Sequence, residues 1–201
     1  MAEVPQHLAH PLNYLRLRLY ITFRISAHRL WMAAKTRPRQ SDWLLAAGLL
    51  LGFGALILPL GLWSHWLTPT VALPWPQSLG LAVRVLVIPA LTEEGFWRVL
   101  MLPHKTEILS PQKRWLVGLA MLLLFVAMHV LSSLTLYPQG FPTFVTPLFL
   151  LAAALLGLIC TLAYWVSGSG WVPVAMHWLV VFVWLMFFGG YDQLGLGLSS
   201  E

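Results

Sequence analysis

The chain has 201 residues, 59% of them apolar and only 9% charged, with a formal net charge of +5. A soluble domain carries roughly 25% charged residues, so an ordinary soluble fold and a disordered chain are both excluded. The mean hydropathy of +0.76 leaves a polytopic membrane protein. The single cysteine, Cys160, excludes an internal disulfide and any zinc site built from paired cysteines.

Residues 1–40 form a basic arm. Seven of the twelve Lys and Arg residues lie between Arg16 and Arg39. No apolar run with a small-residue cleavage site accompanies them, so no cleavable signal peptide is expected. From Leu15 to Ile25 side chains alternate, with Leu15, Leu17, Leu19, Ile21 and Phe23 set against Arg16, Arg18, Tyr20, Thr22 and Arg24. That is the period of a strand. No second strand-like run exists to pair with it, and an unpaired strand at a membrane leaves its backbone unsatisfied. The arm is therefore read as an interfacial helix with Arg18, Thr22, Ser26 and Arg29 on one polar stripe. Its expected partner is anionic lipid. Nucleic acid is not expected, because a basic face that binds it needs a polar folded domain beside it and only membrane sequence follows.

Residues 41–201 form the bundle. Four apolar runs approach the ~20 residues that span a bilayer core: Trp43–Trp63, Trp115–Leu136, Pro147–Val166 and Trp171–Phe188. A fifth, Ser78–Leu102, has the length but holds Arg84, Glu93, Glu94 and Arg98. The expected fold is all-α, about five membrane helices after the interfacial one. Lys105, Lys113 and Arg114 fall in the same set of connections as the basic arm, whereas connections 64–78 and 137–146 hold no Lys or Arg. The positive-inside rule then puts the N-terminus in the cytoplasm of a bacterial plasma membrane or at a thylakoid membrane.

Charges inside a span are costly, roughly 2.5–3.5 kcal/mol each at a helix centre on insertion scales, so Glu93, Glu94 and Arg98 need a reason. Glu94 and Arg98 are four residues apart and can pair. Glu93 lies about 100° round the helix and needs another partner. Pro89, one turn earlier, removes a backbone donor and kinks the helix, which fits a segment lining a polar cavity. His129 and His177 are the partners in other spans. With 1.5 Å of rise per residue, Glu93 lies about 15 Å deep, His177 about 12 Å and His129 about 20 Å. His7, His10, His28, His65 and His104 fall in the arm or connections and read as solvated. One carboxylate and two imidazoles at mid-membrane suit two chemistries. Glu93 can act as general base on a water, or the three can ligate a divalent metal such as zinc. An ion or proton pathway is a further class that intramembrane Glu and His can serve.

Glu93-Glu94-Gly95-Phe96-Trp97-Arg98 fits EExxxR, Phe125 to His129 fits FxxxH, and His177 opens a third motif, HxxxN or HxxxD. In this order and on separate spans, over about residues 78–188, they resemble the CAAX prenyl protease and bacteriocin-processing family. The resemblance implies a glutamic-type intramembrane endopeptidase with no required cofactor. Its substrate would be a membrane-associated polypeptide, prenylated in some members, cut in a cavity reached from the cytoplasmic side. It implies that Glu93 and His129 activate the water, that His177 helps stabilise the oxyanion, and that Glu94 and Arg98 support the site. Val181 departs from the third motif, where Asn or Asp would stand, and losing one oxyanion donor typically costs ~10²–10³ in rate. Trp178, Ser132 and Ser133 are the candidate substitutes. The departure also gives weight to a non-catalytic scaffold or bacteriocin-immunity protein.

Overall fold

The computed structural model describes residues 11–197, and every regular element among them is helical. His7 and His10 lie outside the described residues. Helix α1 spans Pro11–Lys35, so the alternating segment is a helix, in which the backbone satisfies itself without a partner strand. Three aromatic–cation pairs at four-residue spacing brace it: Tyr14 with Arg18 at 5.1 Å, Tyr20 with Arg24 at 6.0 Å and Trp31 with Lys35 at 5.3 Å. Leu15, Leu19 and Phe23 stay exposed, while Ala33 near the C-terminal end is buried.

Helices α2 (Gln40–Trp63), α5 (Pro111–Thr135) and α7 (Pro147–Ser167) are long and apolar enough to cross a membrane, and α8 (Trp171–Phe187) is a shorter apolar helix. The chain is an integral membrane protein. Helix α7 is the packing centre: Leu156, Ile159, Cys160 and Ala163 meet Ala46 of α2 and Val172 and Met176 of α8. Proline opens α5 and α7 at their first turns, where its missing N–H costs nothing. Gly168, at φ +68°, ends α7 in a left-handed turn that a side chain would strain.

The charged fifth segment is a broken helix. It runs as α3 (Trp75–Val85), a wide π-helical stretch Leu86–Leu91, the single turn α4 (Thr92–Glu94) and a second wide stretch Gly95–Leu100. The break sits at Ile88, whose φ −130° and ψ 116° are extended. This is the kink that Pro89 implies. Two short helices, α6 (Phe141–Phe144) and α9 (Gly190–Gln193), complete the fold.

The bundle has two distinct ends. At the basic end Gly170 N donates to Ala33 O at 3.0 Å and Trp171 Nε1 to Ala34 O at 2.9 Å, while Arg29 pairs with Glu107 at 2.7 Å. His104 belongs here and corrects the sequence reading. It is buried rather than solvated, with Nε2 donating to Gly168 O at 2.9 Å and Nδ1 2.9 Å from the Thr106 hydroxyl. The left-handed turn at Gly168 presents that carbonyl inward. His28 and His65 are exposed, as the sequence implies. At the far end Thr70 N donates to Phe187 O at 3.0 Å, the Thr143 hydroxyl to Gln193 O at 2.8 Å and Gln193 Nε2 to Trp66 O at 2.6 Å.

Candidate active site

Glu93 and Glu94 lie on α4, just past the break, and Arg98 follows one turn later. Glu94 and Arg98 are fully buried, with Arg98 Nη1 3.1 Å from Glu94 Oε1. This is a charge contact rather than an aligned hydrogen bond, for Arg98 Nη1 and Glu94 Oε2 have no hydrogen-bond partner. The guanidinium also lies 4.5 Å over the ring of Phe125, so the phenylalanine that opens FxxxH holds the arginine of EExxxR by a cation–π contact. Both imidazoles stand nearly perpendicular to the same ring, with centroids 4.8 Å away for His129 and 6.5 Å for His177.

His177, buried on α8, has Nδ1 2.6 Å from Glu94 Oε1. A carboxylate only accepts, so Nδ1 is the donor. Its other nitrogen, Nε2, faces Glu93 Oε2 at 3.9 Å, too far for a direct hydrogen bond, and Glu93 Oε2 has no protein partner. His129 is held differently: Nδ1 donates to the carbonyl of Phe125, one turn earlier, at 2.9 Å. Both rings are thus fixed through Nδ1 and present Nε2. Arg98, Glu94, His177 and Glu93 form one chain of charge and hydrogen-bond contacts.

Glu93, His129 and His177 share the wall of a cavity of about 850 Å³, within the range of small-molecule sites. Its wall is mostly apolar, with Leu50, Phe53 and Ile57 of α2 on one side. It extends to Trp66, Tyr137 and Leu194 at the far end, and no residue of the basic connections lines it.

Val181 is in the wall and offers no donor. Of its expected substitutes, two are placed elsewhere. Trp178, one residue round α8 from His177, donates Nε1 to Ala82 O at 2.8 Å and lies outside the cavity wall. The Ser133 hydroxyl is buried against Val130 O at 2.7 Å. Ser132 does line the cavity, and its hydroxyl has no hydrogen bond among the described residues. Also among the described residues, no three His, Cys, Asp or Glu side chains are grouped to hold a metal ion.

An all-helical membrane bundle that gathers a carboxylate and two histidines at one apolar cavity defines a class, a membrane-embedded protein with an acid–histidine site. Residues 75–183, more than half of the chain, match the type II CAAX prenyl endopeptidase Rce1-like family, and the chain belongs to it. No curated protein and no solved structure matches the chain. The matched region contains Glu93, Glu94, Arg98, His129 and His177, and supports a CAAX-type protease role.

Proposed function

We propose that the chain is an intramembrane endopeptidase that hydrolyses a peptide bond in a membrane-associated polypeptide, with Glu93 as general base. One observation carries this reading: the unpartnered Glu93 Oε2 on the cavity wall, 3.9 Å from a histidine fixed by a second carboxylate. Glu93 takes a proton from a water whose oxygen attacks the peptide carbonyl carbon. The C–O bond forms as the carbonyl electron pair moves onto its oxygen. His129 Nε2 orients the water, and His177 in its doubly protonated form, with Nδ1 donating to Glu94, donates from Nε2 to the oxyanion. The proton held by Glu93 then passes to the leaving nitrogen as the C–N bond breaks. The Ser132 hydroxyl supplies the donor that Val181 lacks. The apolar wall suits a prenylated or otherwise lipid-bearing substrate. Arg16, Arg18 and Arg24 of the arm meet anionic headgroups, an attraction that added salt screens.

The test compares membrane-associated peptides, by mass spectrometry, in cells expressing wild type or Glu93→Gln. The substitution removes the base and keeps size and hydrogen bonding. Defined fragments should vanish in the variant while their precursors accumulate. Val181 favours a second reading, a non-catalytic scaffold or immunity protein. Identical peptide profiles, together with a phenotype on deletion, would establish it instead.

A further inference from the structure

The residues that follow α8 have no part in the mechanism above, yet they wall the cavity. Phe188, Leu194 and Leu196 line its far end together with Trp66, Tyr137 and Phe144. Residues 189–196 fold back onto the bundle, so that Tyr191, Leu194 and Leu196 pack against Leu81 and Val85 of α3 and Leu185 and Met186 of α8. Two bends bracket the short helix α9 within this segment. Gly189, at φ +80°, and Gly195, at φ +65°, are left-handed, a conformation that glycine adopts without strain.

Three side-chain bonds tie the segment down, each to a different part of the fold. The Tyr137 hydroxyl, just past α5, donates to Leu194 O. The Thr143 hydroxyl of α6 donates to Gln193 O at 2.8 Å, and Gln193 Nε2 donates to Trp66 O, in the connection after α2, at 2.6 Å. Against these ties stand two buried polar atoms with no hydrogen-bond partner among the described residues, Gln193 Oε1 and Trp184 Nε1. The Trp184 ring lies against Gly190, where an added Cβ would come within 2.5 Å of it. A buried donor or acceptor without a partner costs free energy that contact with water would return. Swinging the segment out about Gly189 would hydrate both atoms.

We propose that residues 189–196 are a hinged latch over the far mouth of the cavity. Closed, it keeps the water of that side from Glu93 and His177; released from its three ties, it admits that water. Without it, an 850 Å³ cavity would open a wet path from the far face into the middle of the bundle. The latch acts on the cavity itself, whether or not the site cuts peptides.

The experiment uses the full chain in sealed lipid vesicles and a membrane-impermeant sulfonated maleimide, with each labelled position read by peptide mass spectrometry. Ser132→Cys puts a thiol of nearly the same shape on the cavity wall. Val71→Cys, exposed in the connection after α2, marks the far face in the same protein. The native Cys160, fully buried, reports loosening of the bundle. In molecules that label at position 71, position 132 should react at least tenfold more slowly. Tyr137→Phe combined with Thr143→Val should raise the rate at position 132 at least tenfold and leave positions 71 and 160 unchanged. Thr143→Ser, which keeps the hydroxyl, should keep position 132 slow. Equal rates at positions 71 and 132 with the ties intact overturn the proposal, because the far mouth is then open. An unchanged rate at position 132 in the combined variant overturns it too, as does the same rise in Thr143→Ser. A rise that Cys160 shares also overturns it, because the ties then hold the whole bundle rather than a latch.

Discussion

Glu94 is the residue on which the site is assembled, for it contacts Arg98 at 3.1 Å and His177 at 2.6 Å with no exposure of its own. Removing one member of a buried ion pair strands the other charge, typically at a cost of about 3–5 kcal/mol, whereas removing both can be nearly neutral. Glu94→Gln and Arg98→Met should each lower the melting temperature in detergent, and the double variant should be more stable than the sum of the two losses implies. Additive losses would show that the pair does not couple. The four-residue spacing made this pair legible in the sequence. The Glu94–His177 bond was not legible, because its partners are 83 residues apart and no local spacing links them. The same limit explains Trp178 and Ser133. Their positions on the helices were readable, but the carbonyls of Ala82 and Val130 that occupy them depend on packing and local geometry.

At the scale of elements, the unbroken apolar runs translated directly into helices. The run Trp43–Trp63 is α2, Gln40–Trp63, and the run Pro147–Val166 is α7, Pro147–Ser167. Helix α5 begins four residues before the run from which it was read, because Ser110 caps it and Pro111 opens it. In the charged segment Pro89 announced the kink, but the wide turns on either side of α4 have no marker in residue type. How α5 and α7 meet is likewise a matter of close approach. A Cβ on Gly157 of α7 would come within 2.7 Å of Leu122, 3.0 Å of Arg98 Nη2 and 3.1 Å of Phe125. Gly157→Ala should therefore push on the residues that hold the site and cost about 1–3 kcal/mol, the usual range for overpacking. Gly52→Ala on α2, with nothing within 4 Å of the added carbon, is the control and should be neutral or stabilising by up to about 1 kcal/mol. Thermal melts of the two variants decide it: equal melting temperatures would mean that the helices move apart freely at Gly157.

Across the whole molecule, the arm and the cavity belong to opposite ends, and one ion pair fastens the arm. Arg29 clasps Glu107 through two bonds of 2.7 Å and also donates to Leu100 O at 2.7 Å, while Glu107 accepts from His104 N at 2.8 Å. Burial pushes the Glu107 carboxyl up. The Arg29 hydrogen bonds, the His104 N–H and the neighbouring positive charge outweigh burial and hold it below its ordinary value. The sign follows from linkage. A depressed folded pKa gives stability that is present above the unfolded carboxylate value, about 4.3, and that is lost as the pH falls through the folded value. With nitroxide labels on Ala27→Cys and Ile108→Cys, electron–electron resonance should give one narrow distance at pH 7. The distribution should broaden as the pH falls below the ordinary carboxylate range, and Glu107→Gln should broaden it at pH 7. A narrow distribution in Glu107→Gln at pH 7 would show that Gly170 and Trp171 hold α1 without the ion pair. Because no cavity residue comes from this end, Glu107→Gln should release the arm and leave cleavage of a detergent-soluble peptide unchanged. Loss of vesicle binding without loss of that cleavage would separate the two ends by function as the structure separates them in space.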